Sequence, residues 1–147
     1  MAWNSYGLDR IAQKLVLDAK ERDSDSLNQS YKMRMAVAYG LERFWGEHLR
    51  LQKKEPNKSK YWKETWDALE QILEKAGVNL PNDRVSADNT KSVKAMSEKL
   101  WNFGIDEQLD SDKDEQRNSS MEKQRIAIAV LTQLCDSIVW WTQRYKG

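Results

Sequence analysis

Residues 50–66 read RLQKKEPNKSKYWKETW, and this stretch joins two amphipathic helix patterns. Upstream, apolar residues recur at helical spacing from Leu27 to Leu49; downstream they recur from Trp62 to Ala76. Pro56-Asn57 separates the two, because proline removes a backbone donor and is tolerated only near a helix start. The stretch therefore predicts two helices meeting at a short turn. It is also strongly basic. From Arg50 to Lys63, six cations (Arg50, Lys53, Lys54, Lys58, Lys60 and Lys63) face a single acid, Glu55, a local excess of +5.

Working outward, the spacing predicts about five helices and no strand. The first covers Ser5–Glu21, with Leu8, Ile11, Ala12, Leu15, Val16 and Ala19 on one stripe and Asn4 or Ser5 as cap. The second runs from Leu27 to Lys53 as one long helix. At 100° per residue, Lys32, Arg43, Arg50 and Lys54 fall within about 40° of one another on its polar face. The third covers Ser59–Ala76 and stops at Gly77, with residues 77–89 as a loop. Thr90 caps a fourth, closed by Gly104. Residues 106–118 form an acidic loop, and the S-x-x-E capping box Ser119–Glu122 opens a fifth that ends near Tyr145. The expected fold is all-α, a single-domain bundle over residues 1–147.

Composition bounds the function. The chain has 147 residues and a net charge of +1, but the charge is segregated. Against the basic turn, residues 104–122 carry seven acids and two bases. Seven Trp, five Tyr and two Phe argue against disorder, which is poor in aromatics. One cysteine, Cys135, excludes an internal disulfide framework and points to a reducing compartment. No apolar run spans a bilayer and Met1–Arg10 carries no signal-peptide pattern, so the expectation is a cytoplasmic protein with no membrane partner.

The chain offers little chemistry. Asp110, Asp112 and Asp114 have the spacing that opens a calcium loop, but its sixth and twelfth positions hold Glu115 and Met121 where Gly and Glu are needed. A lone His48 and a lone Cys135 cannot build a zinc site, and His48 on the apolar face reads as a packed core histidine. No nucleotide, dinucleotide or nucleophile-elbow motif is present. No enzyme activity, metal, cofactor or small-molecule substrate is expected.

Binding is the alternative. Lys32, Arg43, Arg50, Lys53, Lys54, Lys58, Lys60 and Lys63 read as a continuous cationic track for nucleic-acid backbone, only Glu47 being interleaved on the polar face of the second helix before the turn. A solvated face that touches nothing is the competing reading. Trp62 lies inside the third helix's core stripe, whereas Tyr61 and Trp66 lie nearer its edges, where rings could stack under bases. Arg34 points into the apolar face of the second helix. It needs a carboxylate or must snorkel to the core's edge, and snorkelling is the simpler reading. Trp140 falls on the polar face of the last helix, either as a subunit interface or as cover for a loop. A second function class is an adaptor whose acidic loop docks a basic partner.

The segment Gly40-Leu41-Glu42-Arg43-Phe44-Trp45, late in a long helix, is followed by the basic turn and Lys60-Tyr61-Trp62 through Leu73. The closing Arg125–Tyr145 ends in Trp140-Trp141 with Arg144 and Lys146. Over residues 27–80 and 119–147 this resembles the small-subunit family of CRISPR–Cas effector complexes, of type I-D or type III. The resemblance implies a non-catalytic subunit that stacks in copies with other effector subunits. It would line a positive groove over the guide RNA–target DNA hybrid or the displaced single strand, stabilising the R-loop. In some type I-D systems such a subunit is made from an internal start in the large-subunit gene.

Overall fold

The computed structural model describes residues 5–103 and 113–146, with side chains for 7–103 and 121–146. Every regular element among the described residues is helical, with no strand. Six α-helices appear: α1 (Ser5–Arg22), α2 (Gln29–Ala36), α3 (Leu41–Leu51), α4 (Pro56–Lys75), α5 (Thr90–Trp101) and α6 (Lys113–Tyr145). None among the described residues is long and apolar enough to cross a membrane.

The extra helix arises because the expected second helix is two. A 3-10 turn at Ser24–Asn28, held by the Asp23 side chain accepting from the Asp25 N–H at 3.0 Å, leads into α2. A second 3-10 turn, Val37–Tyr39, then delivers the chain to Gly40 at φ +96° and ψ 173°. Only glycine adopts that conformation cheaply, so the helix cannot run through it. The apolar period continues across the break, which hides it from a spacing argument. The Gly40–Trp45 segment consequently opens α3 instead of lying late in a long helix.

Leu51 ends α3, and a four-residue turn reverses the chain into α4. Pro56 occupies the first turn of α4, where its missing N–H would have no helical partner, so the helix starts three residues before the expected Ser59. The two helices lie antiparallel: Phe44 meets Trp62 with ring centroids 4.9 Å apart, and Ser59 Oγ donates to the His48 carbonyl at 2.6 Å. The far end of α4 closes as expected. Gly77 at φ +79° lets its own N–H reach the Glu74 carbonyl at 3.0 Å, and the Val78 N–H reaches that of Leu73 at 2.9 Å. No atom lies within 4 Å of where a Gly77 Cβ would stand, so Gly77→Ala meets only the left-handed backbone penalty. That variant should lose about 1 kcal/mol, lowering the melting temperature by about 3 °C in a circular-dichroism scan.

Helix α4 is the centre of the bundle, in contact with α1, α2, α3 and α6. Burial on several sides corrects the expectation for Tyr61 and Trp66. Both are buried, not at the edges. Tyr61 Oη shares a 2.6 Å hydrogen bond with Ser30 Oγ, to which Thr142 Oγ1 also donates at 2.6 Å. Trp66 Nε1 donates to the Pro81 carbonyl at 3.1 Å, and Trp62 Nε1 to Gln29 Oε1 at 2.9 Å. These rings specify the core and leave none of the three free to stack on a base.

Two boundaries move. Asn89, not Thr90, caps α5, its Oδ1 accepting from the Ser92 N–H at 3.1 Å. Helix α6 begins at Lys113, so the Ser119–Glu122 box lies inside it and residues 113–118 are helix, not loop. The Gly104 stop, residues 106–112 of the expected acidic loop and the alternative cap Asn4 lie outside the described residues. Arg34 reaches the exposed edge of the core, as snorkelling requires, and there its Nε donates to Asp136 Oδ1 at 2.5 Å across the α2–α6 contact. Cys135 is a free buried thiol whose pKa is pushed up to about 12 by burial.

Candidate nucleic-acid interface

The basic turn between α3 and α4 is exposed, as a polar connection should be. Its charges do not form the continuous free track that the spacing suggested. Arg50 is gripped by Glu47 through Nε (3.0 Å) and Nη2 (2.8 Å) to one carboxylate oxygen. Lys53 pairs with Asp88. Lys58 pairs with Glu55 at 2.6 Å, and Lys63 with Asp67 at 2.5 Å. Four of the eight candidate cations are therefore answered by carboxylates of the same chain. Two of those acids are close neighbours in sequence, Asp67 is one helical turn from Lys63, and Asp88 arrives from a loop 35 residues downstream of Lys53.

The other four separate into two places. Arg43 stands at the start of α3, its guanidinium 5.6 Å from the centre of the Tyr39 ring. It lines a second cleft of about 500 Å³ together with Leu100 and Trp101, apart from the turn. Lys32, Lys54 and Lys60 are exposed and make no ion pair among the described residues. The break at Gly40 removes the helical phase that aligned Lys32 with Arg50. Packing of α2 nonetheless brings it back to the turn. The Lys58 hydrogen bond holds the Glu55 carboxyl below its ordinary range, and the charges of Lys32 and Arg50 act on it in the same direction.

Spacing gave no hint of Arg84. The loop after α4 folds back over the α3–α4 turn, anchored by buried Val78, Leu80 and Val85. Gln52 binds it from both ends of its amide, accepting from the Ala87 N–H at 2.9 Å and donating to the Val85 carbonyl at 3.5 Å. Asn82 bridges Lys63 (2.6 Å) and Asp67 (2.8 Å). This docking carries the exposed Arg84, unpaired among the described residues, to the rim of a surface cleft of about 350 Å³. Lys60, Lys63 and Arg84 line the cleft against one carboxylate, Asp67. The only advance signal was the trio of apolar residues in a polar loop.

His48 is buried as expected, 4 % exposed, with its Nδ1 against the Trp45 carbonyl. Burial lowers its pKa, which the Trp45 carbonyl partly opposes, so the ring is neutral near pH 7. Trp140 stays 53 % exposed, packed edge-on against Trp141 at 4.8 Å, with the Arg144 guanidinium 5.5 Å from its ring centre. Such a half-covered ring on a charged face is apolar surface open to a neighbouring molecule. Among the described residues, no three His, Cys, Asp or Glu side chains gather where they could hold a metal ion.

No family model matches the chain, and no curated protein or solved structure matches it.

Proposed function

We propose that the protein is a non-catalytic, nucleic-acid-binding small subunit of a CRISPR–Cas effector ribonucleoprotein in the cytoplasm, holding backbone phosphates at the α3–α4 turn. The observation that carries this reading is the convergence of unpaired Lys60 and Arg84 on one cleft at the basic turn, with Lys54 in the same turn and Lys32 close enough for its charge to act on Glu55. The binding set is narrower than the eight residues of the sequence pattern, because cations already held by Glu47, Asp88, Glu55 and Asp67 must give up a partner to meet a phosphate. Exposed Trp140, Trp101 and Met35 supply apolar surface for copies of itself and other subunits. In the R-loop, hybrid and displaced duplex are nearly isoenergetic, so a few backbone contacts tip the balance.

Salt dependence tests the reading. Four free cations, each neutralising one phosphate, give a slope of log affinity against log salt of about −3 for a single strand and about −4 for a duplex. A fluorescence-anisotropy titration across salt concentrations measures it. A slope near zero removes the function, and a slope of about −6 for a single strand or about −7 for a duplex means that the paired cations also engage.

A further inference from the structure

The 350 Å³ cleft is more specific than a patch of charge. Its walls present the free heads of Lys60 and Arg84, while Lys63 is fixed by Asp67 and Asn82. Most of its polar groups are spent inside the protein: Ser59 Oγ on the His48 carbonyl, the Gln52 amide on the Val85–Ala87 backbone, and Asp67 Oδ1 on Lys63 and Asn82. His48 is the exception. Its Nδ1 faces the Trp45 carbonyl, a contact that an N–H makes favourably and a lone pair does not, so Nδ1 carries the ring proton. Nε2 is then a bare acceptor. It has no hydrogen-bond partner among the described residues, nor is it among the buried side-chain atoms sealed from solvent without one. His48, though 4 % exposed, is one of the residues that line the cleft.

A ligand that satisfies this set carries an anion for Lys60 and Arg84 and, beside it, a neutral donor for Nε2. An ammonium donor is repelled by the surrounding cations. A phosphodiester supplies the charge but has no proton to give. A ribose 2′-hydroxyl next to its phosphate supplies both, and deoxyribose does not.

We propose that the cleft is a ribonucleotide subsite, in which Lys60 and Arg84 hold a backbone phosphate and His48 Nε2 accepts the neighbouring 2′-hydroxyl. The inference rests on the nucleic-acid function proposed above and adds to it a preference for an RNA strand over DNA. His48 is the residue that reads the sugar; the lysine and arginine read only charge.

The experiment compares RNA, DNA and 2′-O-methyl RNA oligonucleotides of one sequence by anisotropy, with wild-type protein and His48→Phe. The phenylalanine keeps the ring's bulk and cannot accept. Wild-type protein should bind RNA about five- to tenfold more tightly than DNA, the worth of one hydrogen bond, with the 2′-O-methyl strand bound like DNA. In His48→Phe the RNA affinity should fall to that of DNA. Equal binding of RNA and DNA by the wild type, or a preference that survives in folded His48→Phe, overturns the subsite. Should His48→Phe not fold, the 2′-O-methyl strand decides alone: binding as tight as RNA overturns it. Displacement of RNA by equimolar ribose 5-phosphate also overturns it, since the cleft would then serve a free sugar phosphate. Failure of all three strands to bind at any salt is a different result, and removes the nucleic-acid function itself.

Discussion

Trp62→Ala is expected to cost about 3–5 kcal/mol, the largest stability loss of any single truncation considered for this chain, with a melting temperature lower by about 10 °C or more. Trp62 is 2 % exposed at the centre of α4, its ring 4.9 Å from Phe44 and its Nε1 bonded to buried Gln29. Removing the indole leaves a cavity bounded by helices that cannot collapse together and strands the Gln29 oxygen. Trp62→Phe separates the two terms. It restores much of the ring volume but not the N–H, so the orphaned acceptor alone should cost about 1–3 kcal/mol. Trp140→Ala is the contrast, because its ring is 53 % exposed and should change stability by no more than about 0.5 kcal/mol. Urea melts of the three variants measure the ordering. Near-equal losses for Trp62→Ala and Trp140→Ala would mean that the core is not centred on α4.

The same side chains show what spacing can and cannot reveal. The stripes of α1, α4 and α6 were legible because burying one face of a helix imposes a 3.6-residue period directly on the sequence. Trp62 fell inside such a stripe and is buried. Tyr61 and Trp66 were misplaced because a helical wheel assumes one buried face, whereas α4 is covered from several directions. Gly40 went unread for a related reason. The apolar period is continuous from Leu27 to Leu49, and a backbone break leaves no mark on which residues are apolar. The site was less legible than the fold. Charge could be counted along the chain, but its neutralisation is a property of three dimensions: Asp88 reaches Lys53 only because the loop after α4 folds back. Arg84 was invisible on the same ground, since it joins Lys60 through that loop and not through any helical register.

Reversing the three unpaired cations at the turn should therefore weaken binding more than reversing three distant ones. Lys54→Glu, Lys60→Glu and Arg84→Glu together are expected to weaken single-strand binding about a hundredfold at about 0.1 M salt, since each phosphate contact contributes about fivefold there through counterion release. The salt slope should fall by about 2 in the same titration. All three positions are exposed and none takes part in a hydrogen bond or ion pair among the described residues, so folding should be retained. The control changes net charge equally at Arg10→Glu, Lys75→Glu and Arg125→Glu, on α1, at the far end of α4 and on α6. Lys75 lies fifteen residues beyond Lys60, about 22 Å along the helix. That is more than two Debye lengths at this salt, so it should barely be felt at the cleft. If the control set weakened binding as much as the cleft set, attraction would come from overall charge, and the docked loop would have no part in it. If neither set changed affinity while the strand still bound, phosphates would be held elsewhere, and Arg43 beside the exposed Tyr39 and Trp101 rings would be the next place to cut.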